Sequence, residues 1–67
     1  MTNEQVLQQI RHLAGSRYVV SVKRYITELT GRMQVIGPRD LMSRELNPER
    51  IVIRVNKAGN IESFSFG

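Results

Sequence analysis

The sequence predicts a small α+β domain, in which one or two N-terminal helices pack on one face of a three-stranded sheet with a long exposed loop. Two observations lead to this fold class. Apolar residues recur at helical spacing as far as Leu29, and beyond Arg32 they alternate with polar residues as they do in strands. The 67 residues suffice for one domain, which we assign to residues 1–67.

The first helix is predicted from three apolar residues at positions i, i+4 and i+7, which are Val6, Ile10 and Leu13. Thr2 or Asn3 can cap its N-terminus, and Gln5 completes a capping box with Thr2. Gly15 is suited to the left-handed residue that ends a helix. The polar face carries Gln8, Gln9, Arg11 and His12, so we expect one buried face and one solvated face.

A second helix is predicted to follow, with Ser16 as its cap and Gly31 at its end. Its apolar residues recur at helical spacing, namely Val19, Val22, Ile26 and Leu29. The stretch YVVSV (18–22) would by itself pass as a strand, because β-branched residues dominate it. The longer helical pattern favours the helix, with Tyr18 and Tyr25 on one side of it as packing residues.

Three strands are predicted in the second half, in RMQVI (32–36), RIVIRV (50–55) and IESFSF (61–66). Between the last two, NKAGN is a turn in which Gly59 can adopt a positive φ. The side chains expected on the core side are Met33 and Val35 in the first strand, and Ile51, Ile53 and Val55 in the second. The opposite side of the second strand carries Arg50, Val52 and Arg54.

Composition narrows the range of functions. The chain has 40% hydrophobic and 24% charged residues, no cysteine and no apolar run near the ~20 residues that span a bilayer. We therefore expect no membrane interaction and, without a signal peptide, a cytoplasmic location, or a periplasmic or secreted one if a signal was trimmed. The net charge of +4 raises nucleic acid as a partner, but the basic residues are dispersed, which disfavours it.

Catalysis is poorly supported by the sequence. His12 is the only histidine, and it falls on the polar side of the first helix. There is no HExxH, GxxxxGK or GxGxxG motif, and the spacing of the acidic residues singles out no catalytic pair. We expect neither an enzyme, nor a metal site, nor a cofactor.

The segment GPRDLMSRELNPER (37–50) is a loop much longer than the usual connection of about 4–6 residues. With its flanking strands, residues 34–67, it resembles the potato inhibitor I family of serine-protease inhibitors, which includes eglin and the barley chymotrypsin inhibitor. It is still more similar to a related family of small bacterial and fungal serine-protease inhibitors that add an N-terminal helix, matched here by residues 2–15. The loop, the basic strand and the glycine-containing turn together carry the resemblance.

The resemblance implies a reversible inhibitor that presents loop 37–48 to a trypsin-like or subtilisin-like serine protease as if it were substrate. Arg44 would enter the specificity pocket, where an acid can bind it in bidentate fashion, and Glu45 would follow the scissile bond. The residues implied in protease binding are Leu41, Met42, Ser43, Arg44, Glu45, Leu46 and Asn47.

The resemblance also implies support for the loop from basic residues of the following strand. Arg50 matches the first such position and is expected to bond Ser43. Val52 occupies the second position, which leaves Arg54, further along the same face, as the remaining candidate. In relatives a disulfide joins the first helix to the last strand, and here packing by Phe66 would replace it.

Other interpretations stay open. Arg44 could be an ordinary solvated arginine, and Arg50 and Arg54 could belong to a strand face exposed to water. Leu41, Met42 and Leu46 could instead form a self-association surface. The main alternative function is a non-inhibitory protein-binding module on the same scaffold, and a third is nucleic-acid binding through dispersed basic charge.

Overall fold

A computed structural model of the chain describes residues 2–41 and 47–67. The elements within these ranges are helix α1 (Asn3–Ile10), a 3₁₀ turn (Arg11–Leu13), helix α2 (Ser21–Thr30) and strands β1 (Val35–Ile36), β2 (Ile51–Val55) and β3 (Ile61–Phe66). The helices pack on a small mixed sheet, which confirms the predicted α+β class. Neither of these helices has the length and apolar character needed to cross a membrane.

Helix α1 forms as its sequence predicts. The Thr2 hydroxyl accepts a hydrogen bond from the Gln5 backbone at 3.2 Å, and the Gln5 side chain accepts one from the Thr2 backbone at 2.9 Å. This capping box satisfies two of the amides that a helix N-terminus leaves without partners. Val6 and Ile10 are fully buried, and Gly15 adopts a φ of 91° after the 3₁₀ turn.

The second helix begins later than predicted. Helix α2 starts at Ser21 and has no side-chain cap, so the proposed cap at Ser16 is wrong. Residues 15–18 instead pair with the start of β3: the Gly15 amide donates to the Ile61 carbonyl at 2.7 Å, and the Ile61 amide donates to the Ser16 carbonyl at 2.7 Å. This pairing satisfies backbone groups that would otherwise form hydrogen bonds within a helix. Residues 16–20 are therefore not helical, although their apolar spacing predicted a helix.

The later start of α2 also separates the two tyrosines. Tyr18 lies in the extended segment before the helix, and its amide donates to the Gly59 carbonyl at 2.9 Å. Tyr25 lies on α2, where its hydroxyl is 3.0 Å from His12 Nε2 and the two rings meet edge to face. The prediction that Tyr18 and Tyr25 share one side of a helix is therefore wrong.

The sheet has the order β1-β2-β3, with β1 parallel to β2 and β2 antiparallel to β3. In register, Val35 pairs with Ile51 and Ile36 with Val52. Parallel neighbours cannot be joined by a tight hairpin and need a connection of about a dozen residues or more. The 14-residue segment 37–50 is this connection, so parallel pairing explains its length.

The core lies between the helices and the sheet, and its fully buried side chains are Val6, Ile10, Ile26, Ile51, Ile53 and Ile61. The predicted inward positions of β2 are confirmed, since Ile51 and Ile53 are buried and Val55 packs against the core. Met33 was expected beside Val35, but it is 85% exposed. It precedes β1, which has only two residues, and so lies outside the alternation of the strand.

Candidate functional site

The candidate site is the long loop (residues 37–50) together with the side chains that hold its two ends. Of the seven predicted binding residues, the structure describes Leu41, which is 98% exposed, and Asn47, which is half-buried. The other five lie outside the described residues, and they are Met42, Ser43, Arg44, Glu45 and Leu46. The roles assigned to these five therefore stay predictions, and the described part of the site consists of the two ends of the loop.

The N-terminal end of the loop is a compact turn closed by Asp40. Its amide donates to the Gly37 carbonyl at 3.2 Å, and its carboxylate accepts from the Gly37 amide at 2.8 Å. The same carboxylate forms an ion pair with Lys23 of α2. One side chain thus closes the turn and also ties it to the neighbouring helix.

The charge state of this contact follows from its geometry. The hydrogen bond from Lys23, together with that from the Gly37 amide, lowers the pKa of Asp40 below its usual 3.8. The hydrogen bond to Asp40 in turn raises the pKa of Lys23 above 10.5. Both side chains are about one-third exposed, so water screens the pair, yet both groups are charged at neutral pH.

Gly37 is favoured by close packing. It is buried, and a Cβ atom at this position would come within 2.5 Å of the Tyr18 hydroxyl oxygen and 3.2 Å of Tyr18 Cζ. Real Cβ atoms essentially never show a contact of 2.5 Å, so a larger residue would require the Tyr18 ring to shift, and glycine fits here for space rather than for a special φ. Tyr18 thus packs directly against the chain where it leaves β1.

The C-terminal end of the loop is organised by Asn47. Its side-chain oxygen accepts from the Glu49 amide at 3.0 Å, and the Arg50 amide donates to the Asn47 carbonyl at 3.0 Å. The Asn47 amide group also donates to the Gln34 side chain at 3.0 Å, just before β1. Asn47 therefore closes a local turn and links the segments that lead into the two parallel strands.

Two further side chains reach this turn from other parts of the fold. The Asn3 amide group, in the first turn of α1, donates to the Pro48 carbonyl at 2.8 Å. Arg32, two residues after the end of α2, donates from Nη1 to the Glu49 carbonyl at 2.7 Å. Arg32 is only 9% exposed, so this charged hydrogen bond is partly shielded from water. The consecutive carbonyls of Pro48 and Glu49 are thus held by side chains from α1 and from the segment after α2.

Arg50 is only 5% exposed, which excludes the interpretation of a fully solvated strand position. Arg50 contacts Gly67 twice. The Gly67 amide donates to the Arg50 carbonyl at 3.0 Å, and Arg50 Nε lies 3.4 Å from the Gly67 carbonyl. The predicted bond to Ser43 lies outside the described residues. Arg50 is nevertheless a buried cation at the base of the loop.

Arg54 is placed differently. It is exposed, and its Nε lies 3.4 Å from the Ser65 hydroxyl on the adjacent strand, so its described contact is within the sheet. Val52, on the same face, is half-buried. Phe66 is also half-buried and packs against the core, while its expected role in place of a disulfide between the first helix and the last strand stays a prediction.

Sequence reasoning missed Arg32, Asn3 and Gln34 as residues that hold the loop. The available signal was the loop length, because a connection of 14 residues between adjacent strands is typical of parallel pairing. In that arrangement β1 and β2 begin at the same end of the sheet, so the residues before each strand lie close together. Arg32 and Gln34 would then have been expected beside residues 47–50.

The described residues around the loop form contacts that hold its two ends. In the described ranges, no group of three or more His, Cys, Asp or Glu side chains could hold a metal ion. His12, in the 3₁₀ turn, contacts Tyr25 of α2. What the described residues provide is a surface loop whose two ends are fixed to α1, α2 and the sheet.

Comparison with protein families matches residues 7–67 to the model of the peptidase inhibitor I78 family. The corresponding searches of curated proteins and of solved structures find no match. The match covers nearly the whole chain, so it includes the helices, the sheet and the long loop together. The expectation of a protease-inhibitor family is confirmed, while the assignment to the potato inhibitor I fold stays a prediction.

Proposed function

This chain belongs to the peptidase inhibitor I78 family, and from that premise we propose that it is a reversible, substrate-like inhibitor of a serine protease. Loop 37–48 is the segment presented to the enzyme, and Arg44 is the residue that enters the specificity pocket. The role is one of binding, with no catalytic group of its own.

The observation that carries this proposal is that both ends of the loop are held independently. Asp40 and Lys23 hold one end, and Asn3, Arg32 and Asn47 hold the other. A loop that is ordered before binding loses less conformational entropy when a protease closes on it. The same ties oppose release of the two ends after cleavage, which favours resealing of the bond and slow turnover.

The proposed anchor follows from chemistry as well as from family resemblance. An arginine presents a planar set of donors that can bind a carboxylate in bidentate fashion, which suits a trypsin-like pocket with an acid at its base. Leu41, which is almost fully exposed, is available to contact an apolar part of the enzyme's cleft. Such an anchor is expected to cost more than about 2 kcal/mol of binding when truncated.

The test is inhibition of trypsin, chymotrypsin and subtilisin, measured beside cleavage of the chain by each enzyme. Arg44→Leu is expected to weaken trypsin inhibition by about 30-fold or more and to strengthen inhibition of chymotrypsin or subtilisin. Arg11→Leu, which removes an exposed arginine outside the loop, is the matched control and should change neither. Unchanged selectivity in Arg44→Leu contradicts the anchor, and rapid complete cutting after Arg44 without inhibition contradicts the proposed function itself.

A further inference from the structure

An open cleft of about 530 Å³ lies beside the start of the long loop. It is formed by the extended segment before α2, the first turn of α2, residues 38–40 and the turn between β2 and β3. It thus draws on four parts of the chain, and most of its lining lies outside the loop. The family match and the loop geometry assign no role to it.

The cleft carries an excess of positive charge. Four cations and one acid line it: Arg17, Lys23, Arg39, Lys57 and Asp40. Lys23 and Asp40 neutralise each other in their ion pair. Within residues 2–41 and 47–67, the other three cations form no ion pair and no side-chain hydrogen bond, and all three are exposed. Their charges are therefore available to a ligand.

Apolar side chains lie among these charges. Val19 is 50% exposed and Val20 is 77% exposed, although both are aliphatic residues. Val55, at the end of β2, also lines the cleft and is half-buried. Exposed apolar side chains that line one cleft together with charges are typical of a binding surface rather than of an ordinary solvated face.

We infer that this cleft binds an acidic peptide segment, whose carboxylates pair with Arg17, Arg39 and Lys57 while an apolar side chain between them covers Val19 and Val20. A small inorganic anion would use the cations and leave the valines exposed, so it matches only part of the lining. Single-stranded nucleic acid needs aromatic faces on which bases stack, and Tyr18, the one aromatic residue of the lining, is half-buried with its hydroxyl against Gly37.

The experiment uses fluorescence anisotropy of a labelled Glu-Glu-Leu-Glu-Glu peptide with the full chain at about 20 mM and about 200 mM NaCl. The test variant is Arg17→Gln/Lys57→Gln, since both side chains are exposed and lie outside the long loop. The control is Arg11→Gln/Arg24→Gln, which removes the same charge from exposed positions outside the cleft. Arg24 gives up only an exposed pair with Glu28, which contributes little to stability.

We expect binding at low salt that weakens at high salt, and an affinity about five- to tenfold lower in the test variant but unchanged in the control. Equal losses in both variants would show a net-charge effect and overturn the inference, as would the absence of binding at low salt. Tighter binding of a five-nucleotide single strand than of the peptide would assign the cleft to nucleic acid instead. No protease is present, so failure here is distinct from failure of the proposed inhibition.

Discussion

The substitution Arg32→Met gives the most specific test of the contacts that hold the loop, because it removes the hydrogen bond from Arg32. Methionine keeps an unbranched apolar stem and removes only the guanidinium, so the hydrogen bond to the Glu49 carbonyl is lost. A hydrogen bond to a charged group contributes about 1.5–3 kcal/mol. Glu49 is exposed, so water can partly replace the donor, and we expect the lower part of that range, about 1.5–2 kcal/mol. For a domain of this size that loss lowers the melting temperature by roughly 6–16 °C.

Thermal unfolding followed by circular dichroism measures this loss, with Arg11→Met as the control for removing an exposed arginine. The control should stay within about 0.5 kcal/mol of the parent. Limited proteolysis of the loop under native conditions is the second readout, and Arg32→Met should be cut faster than Arg11→Met. A melting temperature and a cleavage rate equal to those of the control would refute the argument that Arg32 holds the loop.

Two further predictions concern the other end of the loop. Gly37→Ala should destabilise the fold by about 1–3 kcal/mol. Tyr18→Phe should relieve part of that cost, because it removes the hydroxyl that lies 2.5 Å from the new Cβ. Purely additive effects of the two substitutions in a double-mutant cycle would contradict the packing argument. Folding lowers the pKa of Asp40, so the parent should be more stable than Asp40→Asn above about pH 4. This difference in the free energy of unfolding should be lost as pH falls through the pKa of Asp40 in the folded state. Urea unfolding of both proteins at pH 7 and below pH 3 measures it. A difference that persists at the lower pH would show that Asp40 acts through something other than its charge.

Several parts of the fold could be predicted because short-range interactions decide them. The capping box of Thr2 and Gln5 needs only four neighbouring residues, and the alternation of Ile51 and Ile53 needs only the geometry of one strand. The start of α2 could not be predicted in the same way. Its boundary is decided by pairing of residues 15–18 with the start of β3, more than forty residues later in the chain.

The candidate site likewise has features that local sequence decides and features that contacts between distant residues decide. The sequence by itself determined that residues 37–50 form an unusually long connection with Arg50 at its end, that Arg54 lies on the strand after it, and that the chain resembles protease inhibitors. Those features are local, or are carried by the order of residues along the chain.

Only the tertiary structure decided what holds that loop. Parallel pairing of β1 with β2 brings Arg32 and Gln34 to the edge where residues 47–50 enter the sheet, and packing of α1 brings Asn3 to Pro48. It also separated Arg50, which is buried at the base of the loop, from Arg54, which is exposed. The length of segment 37–50 indicates parallel pairing, but the side chains that meet there depend on contacts between residues distant in the chain, which a single sequence does not specify directly.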